Sequence, residues 1–392
     1  MGKVSQVGDK LSIRIEVIDT AQNKQIWGAT YEREADDILS IQNEITRTMS
    51  DSLRLKLTSG QEKRLANGGT ADPDAFRYYL NGLVELRGPD DVRGKALDYF
   101  LKAVEVDPNF AEAWTSLALV YSDRAIGTGN PSELMPKAQE AAQKALEIDP
   151  DLATAHVAMA AVKEYEFNWK SADEYYRRAI ELNPNLDIAR DRYAFFLSIT
   201  GRQAEALAQN EQALLRDPIN VRLHLLFKSM NQMQGRKFDD ALKTLEEVKR
   251  MDKDPGALDF DFGYAFGGKG MYKKSAEYFK NSVDRLGGED EYSQSLVYLA
   301  AAYARIPGKR PEALKIAERL ETSKAHVSPA LIAIIYEGLG ENEKAIEQLE
   351  RAFRERDSLL RYIGVGYEYD GLRSDPRFKK LLKRTGLEES TS

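Results

Sequence analysis

Apolar and polar side chains alternate with period two from Lys3 to Arg33. Leu11, Ile13, Ile15 and Val17 are interleaved with Ser12, Arg14 and Glu16, and Ile26, Gly28 and Thr30 continue less cleanly against Gln25, Trp27 and Ala29. Such alternation puts one set of side chains on each face of a strand. Val7-Gly8-Asp9-Lys10 and Thr20-Ala21-Gln22-Asn23-Lys24 supply the Gly, Asp and Asn that hairpin loops use. The pattern predicts three antiparallel strands at about 3–7, 10–20 and 24–34. Asp36 then caps a helix whose apolar positions Ile38, Ile41, Ile45, Met49, Leu53 and Leu57 recur every three or four residues. One helix covers one face of such a sheet, so a neighbour or preceding chain is expected to complete this small α+β domain, residues 1–57. Thr58–Asp72, with Gly60, Gly68 and Gly69 among charged residues, reads as a linker.

Beyond the linker the period lengthens. Asp151–Pro184 and Asn185–Pro218 are successive units of 34 residues, each closing on Asn-Pro or Asp-Pro after paired alanines, Ala172 and Ala179 in the first, Ala206 and Ala213 in the second. A fixed period of this size marks a solenoid of helix pairs. Trp114-x-x-Leu117-Ala118-x-x-Tyr121 followed by Ala138, Ala142, Ala145 and Pro150 repeats the design, as do Leu296-x-x-Leu299-Ala300-x-x-Tyr303 and Ile332-Ala333-x-x-Tyr336 with Gly340, Ala345 and Ala352. These residues resemble the tetratricopeptide repeat. Laid along the chain, the register gives eight repeats over residues 73–359, including degenerate copies at 219–255 and 256–288. Small residues let paired helices approach, Gly turns the chain, and Pro ends the second helix. Each unit leaves an apolar face that only stacking buries.

Both ends carry a second resemblance. Gly2-Lys3-Val4, Val7-Gly8-Asp9-Lys10-Leu11, Val17-Ile18-Asp19-Thr20 and Gln25-Ile26-Trp27-Gly28 resemble the second half of the small domain at the start of TolB and in FlgO. Asp370-Gly371-Leu372-Arg373-Ser374-Asp375-Pro376-Arg377-Phe378 looks like the closing segment of the same bacterial signalling proteins, and residues 360–392 read as a capping helix and tail. The resemblance implies a mostly α fold, a tetratricopeptide superhelical solenoid preceded by a small α+β domain. It also implies the C-terminal region of a bacterial Ser/Thr kinase, nucleotide cyclase or winged-helix regulator, with the remainder of that protein upstream of Met1.

Composition narrows the chemistry. The balance of 56 basic and 63 acidic residues, net −7, leaves no footprint for nucleic acid or an anionic membrane, so neither is expected as a partner. There is no Cys, hence no disulfide or thiolate chemistry, and cytoplasm and periplasm both stay open. No apolar run approaches a spanning helix, which predicts a soluble protein. Gly263-Tyr264-Ala265-Phe266-Gly267-Gly268-Lys269-Gly270 nearly spells a phosphate loop, but Gly270 stands where Ser or Thr would hold magnesium, and the register before it is helical. His156, His224 and His326 lie in three different repeats, a spacing that suits packing or surface roles better than a metal site. Asp239-Asp240 and Glu289-Asp290-Glu291 sit where acids complement a helix dipole. The basic run Arg373, Arg377, Lys379, Lys380, Lys383 and Arg384 reads as the solvated face of the capping helix. No catalytic, cofactor or metal site is predicted, and an enzyme with its active site in the groove is the competing class.

The tetratricopeptide resemblance implies that first helices line a concave groove. Carrying that register over selects Glu112, Thr115, Leu119 and Asp123; Val157, Glu164 and Tyr165; Asp191 and Phe195; Leu226 and Met230; Val297; and Ile334. This mixed lining suits an extended peptide or amphipathic helix from a protein partner. The alternative for Val157, Leu226 and Ile334 is the core, where apolar helix positions usually lie. The expected function is a non-catalytic interaction scaffold, regulatory in a signalling protein. A homodimer through the open edge of the N-terminal sheet is the runner-up.

Overall fold

The computed structural model describes residues 2–7, 10–19, 24–34, 44–45, 48, 69–86, 93–126, 130–217, 219–251, 254–288, 294–323 and 327–387. Most of the predicted helix after Asp36, the linker up to Gly68, residues 127–129 of the predicted turn, and His326 lie outside them. The chain forms two compact units, Met1–Val120 with Ala141–Ala155, and Tyr121–Glu140 with His156–Ser392.

In the first unit, strands β1 (Gly2–Val7), β2 (Lys10–Asp19) and β3 (Lys24–Glu34) pair antiparallel in the order β1-β2-β3. Val4 pairs with Ile13 and Ile13 with Tyr31 across the ladders. A register shift at Val17/Ile18 locally breaks the β2–β3 alternation. The helix Pro73–Glu85 is capped by Asp72, which accepts from the Asp74 and Ala75 amides. It packs on Arg93–Val106. Their closeness depends on Gly82, where a Cβ would stand 2.5 Å from the buried Phe100 ring. Tyr79 fills the remaining gap against Phe76, Phe100 and Phe110.

The second unit is built of helix pairs: Asp187–Ile199 with Gln203–Arg216, Val221–Gln234 with Phe238–Met251, Asp259–Gly268 with Tyr272–Arg285, and Pro329–Gly338 with Asn342–Arg354. Several pairs turn the same way. The amide three residues beyond the helix end reaches back to the carbonyl five residues earlier, as Arg202 to Leu197 (2.8 Å), Met271 to Phe266 (2.9 Å) and Glu341 to Tyr336 (2.9 Å). That geometry needs a left-handed residue, supplied by Gly201, Gly270 and Gly340. Phe167 and Arg236 hold the same conformation at the cost of about 1–2 kcal/mol. Phe167 offsets this by stacking on Phe353, with centroids 6.3 Å apart, and Arg236 by a two-pronged bond to Asp370 at 2.5 and 2.9 Å.

Those contacts depart from an open solenoid, in which each repeat touches only its neighbours. The Trp169 indole donates to the Thr385 carbonyl at 2.6 Å, and the Ser358 hydroxyl to the Ala125 carbonyl at 3.3 Å. Early and late repeats of this unit are therefore joined, and the segment after the last repeat joins them. It runs as 3-10 turns, Ser358–Tyr362 and Tyr367–Leu372, into the helix Pro376–Thr385. Leu359, Leu360, Ile363, Tyr369 and Leu372 are all buried, which makes the segment part of the core. The predicted capping helix is closed by left-handed Gly386, and its Arg377 and Arg384 pair with Glu343 and Glu350.

Candidate functional site

First helices of successive pairs contribute to one inner face of the second unit, as the repeat register implies, and the C-terminal segment lies on it. Arg361 is the main clamp. Its guanidinium pairs with Glu164 at 3.2 Å and lies over the rings of Phe195 and Tyr362, 5.5 and 5.0 Å from their centroids. Glu164 also accepts from the buried Tyr176 hydroxyl at 2.5 Å. Burial still holds the Glu164 carboxyl above the usual range, against the pull of Arg361. Farther along, Glu337 accepts from the Gly371 amide at 2.8 Å and from Arg305. Asp357 anchors the start of the segment by accepting from the Ser328 hydroxyl and, at 3.1 Å, from the Ala330 amide.

Between the first helices and this segment lies a cavity of about 160 Å³. Phe195 and Met230 line it together with Phe260, Tyr298, Asp261 and Glu368, and no Lys, Arg or His is among its lining residues. Glu368 is 3% exposed and accepts from the hydroxyls of Tyr264 and Tyr298, each at 3.1 Å. Burial raises its pKa despite those two donors. Burial likewise pushes the Asp261 carboxyl up to about 6. The nearby guanidinium of Arg305 is engaged with Glu337 and with the Glu368 backbone carbonyl rather than the Glu368 carboxylate. The cavity thus combines aromatic faces with two acidic groups and no built-in counter-charge.

The predicted groove residues divide accordingly. Val157, Val297 and Ile334 are 1%, 0% and 0% exposed and are core residues, with no surface to offer. Apolar first-helix positions there face neighbouring first helices, the alternative that the pattern left open for two of them. Thr115 is buried with its hydroxyl on the Ala111 carbonyl at 2.9 Å, and Asp191 is buried against His224 at 2.8 Å. Glu164 is spent on Arg361, and Asp123 holds Arg192 through both oxygens at 3.0 Å. Glu112, Leu119, Tyr165 and Leu226 are partly buried. Only Phe195 and Met230 of the predicted residues line the cavity. Asp261, Tyr264, Tyr298 and Glu368 were not anticipated. The first three sit one residue from, or between, the pattern positions of their helices, and Glu368 lies in a segment with no period to read.

The near phosphate loop is the end of helix Asp259–Gly268. A Cβ on Gly263 would stand 2.8 Å from the Phe279 ring, one on Gly268 would stand 2.2 Å from Phe238, and Lys269 pairs with Asp239. Helix packing and a turn account for every glycine that is placed there.

Two segments, residues 99–133 and 330–357, match family models of the tetratricopeptide repeat. The chain carries these repeats, and proteins built from them generally serve as scaffolds for protein interaction. A protein of Rhizobium meliloti (strain 1021) named "Putative adenylate cyclase 3" is 28% identical over 122 residues, 30% of this chain and 20% of that protein. The chain therefore spans about a fifth of the length of that relative. Among solved structures, human IFIT1 with m7Gppp-AAAA is similar at a TM-score of 0.50 and 16% identity, covering 89% of this chain and 87% of that one. Pseudomonas aeruginosa pilF is 23% identical at a TM-score of 0.39, covering 54% and 90%. The likeness to IFIT1 is one of fold. No helix among the described residues is long and apolar enough to cross a membrane.

Proposed function

We propose that this chain is a non-catalytic interaction module, the sensory or regulatory region of a bacterial signalling protein, and that its protein partner inserts a basic side chain into the inner-face cavity. The observation carrying this reading is the lining: Asp261 and Glu368 among aromatic walls, with no basic residue. An ammonium or guanidinium group would meet carboxylates for its charge and ring faces for its stem, both strengthened by low local polarity. The C-terminal segment occupies the inner face at Glu164, Phe195, Tyr298 and Glu337, so recognition through one inserted side chain fits better than a peptide laid along the whole groove. The cyclase-named relative supports a place beside a nucleotide-cyclase type of catalytic domain.

Isothermal titration of a blocked Ala-Lys-Ala peptide tests it. One saturable site per chain is expected, lost in Glu368→Gln and in Asp261→Asn, and much weaker for the norleucine peptide. Equal binding of lysine and norleucine peptides, or no heat up to about 10 mM peptide, would overturn the reading. Conversion of ATP by the purified chain would place it among enzymes instead.

A second reading rests on the sheet: among the described residues, β1 pairs on one side only. An edge of that kind is a template for a second copy. Light scattering should give a dimer for the full chain and a monomer for one beginning at Gly69; the same monomeric mass for both would exclude it.

A further inference from the structure

Outside the cavity, two adjacent pairs bring together side chains that the sequence holds far apart. Asp187 opens the helix Asp187–Ile199 and Asp191 follows one turn later. Asp217 stands just after Gln203–Arg216, and His224 lies in the first turn of Val221–Gln234. Asp187, Asp217 and His224 each present a ligand atom within 4.8 Å of the others. His224 is 1% exposed and Asp191 0%.

We propose that Asp187, Asp217 and the Nε2 of His224 bind one divalent first-row transition cation, Zn2+ in preference to Mn2+ or Mg2+, with Asp191 as the residue that orients His224. Asp191 Oδ2 is 2.8 Å from His224 Nδ1, so the proton on Nδ1 is donated to a carboxylate and the Nε2 lone pair faces outward. That carboxylate–imidazole arrangement is the one that prepares a metal-binding histidine. Nε2 then faces Asp217 Oδ2 at 3.3 Å, acceptor against acceptor. Ligands at about 2.0–2.1 Å from a tetrahedral Zn2+ stand about 3.3–3.4 Å from one another, the spacing of this pair, and Asp187 lies within 4.8 Å of both.

Asp217 is already held in place. Its Oδ1 accepts from the amides of Ile219 and Asn220 at 3.0 and 3.2 Å, and its Oδ2 from the Asn220 side chain at 2.6 Å. At the cluster itself, the buried Asp187 Oδ1 has no hydrogen-bond partner among the described residues, an oxygen that a cation held there would meet. Arg190, the neighbouring basic side chain, is committed to the Pro184 carbonyl and to Gln209. One imidazole with two carboxylates is an intermediate ligand set, which favours Zn2+ over the harder ions. Bound there, the ion would staple the pair Asp187–Arg216 to the next repeat. The competing arrangement is a doubly protonated His224 bridging Asp191 and Asp217 without metal.

The test uses the full chain stripped with chelator and titrated with Zn2+, Mn2+ and Mg2+ alone, read by calorimetry and by Tm. Expected are one Zn2+ per chain, a Tm that rises with Zn2+ and falls again with chelator, and much weaker binding of Mg2+. Asp187→Asn, at a partly exposed helix start, should fold as wild type by circular dichroism yet lose that site. Asp191→Asn should weaken it by about 10- to 100-fold. His224→Gln should abolish it, and if this variant fails to fold, the two aspartate variants decide alone. No stoichiometric Zn2+ binding, binding equal for Mg2+, or binding unchanged in Asp187→Asn would overturn the proposal.

Discussion

Replacing Arg361 by Ala removes the clamp between the C-terminal segment and the inner face. The guanidinium side chain is 12% exposed and Glu164 is 4% exposed, at 3.2 Å. Its loss leaves a buried carboxylate with Tyr176 as a neutral donor and no paired cation at that end. Breaking a buried pair in this way costs about 3–5 kcal/mol, and loss of the contacts with the Phe195 and Tyr362 rings adds to it. For a unit of this size the expected fall in Tm is roughly 10 °C. The cost also depends on pH. Burial already holds Glu164 above the ordinary carboxyl value, with Arg361 the largest opposing influence, so the variant raises it further. A carboxyl raised in the folded state penalises folding above its unfolded value of about 4.3, and the penalty fades as pH falls through the folded value and the group protonates. The deficit should be largest near pH 8, smaller at pH 5, and partly recovered by adding Glu164→Gln. Urea unfolding of the four proteins of this cycle measures it. A deficit below about 1 kcal/mol, or one unchanged between pH 5 and 8, would refute the reasoning, since an exposed pair is worth no more than that.

Two glycine experiments test the packing. Gly263→Ala puts a Cβ 2.8 Å from the Phe279 ring and should cost about 1–3 kcal/mol by overpacking, visible as a lower urea midpoint with an unchanged slope. Gly340 and Gly94 both have open space for a Cβ, but Gly340 has φ +72° while Gly94 is helical. Gly340→Ala should therefore destabilise by about 1–2 kcal/mol and Gly94→Ala stabilise by about 0.4–1 kcal/mol; effects of the same sign at the two sites would show that the backbone argument is wrong.

The helix pairs were readable because they are local: alanine spacing, closing prolines and turn glycines repeat with the fold, and Gly82 and Gly263 fall where an aromatic ring presses. The two-strand alternation up to Val17 was equally local, whereas the register shift at Val17/Ile18 leaves no mark in composition. The occupant of the inner face was hidden. Arg361 meets Glu164 across 197 positions and Ser358 meets Ala125 across 233, and no period spans such distances. Register alone cannot tell whether a first-helix residue faces solvent or the next helix, as the buried Val157 and Ile334 show. The cluster around His224 was missed for a related reason. Asp187 and Asp191 lie about a repeat length before Asp217 and His224, so the two halves of the cluster fell in different repeats and looked unrelated.

The most direct test of the basic-side-chain pocket is the pH dependence of its affinity. The lysine ammonium of the Ala-Lys-Ala peptide stays charged from pH 5 to 8, while Asp261 ionises near 6. Since the ammonium binds the ionised form, affinity should rise about tenfold between pH 5 and pH 7 and level off above. Asp261→Asn should show no binding at any pH in that range. Affinity that is flat or falls over that range, or that follows the same curve for the norleucine peptide, would contradict the account.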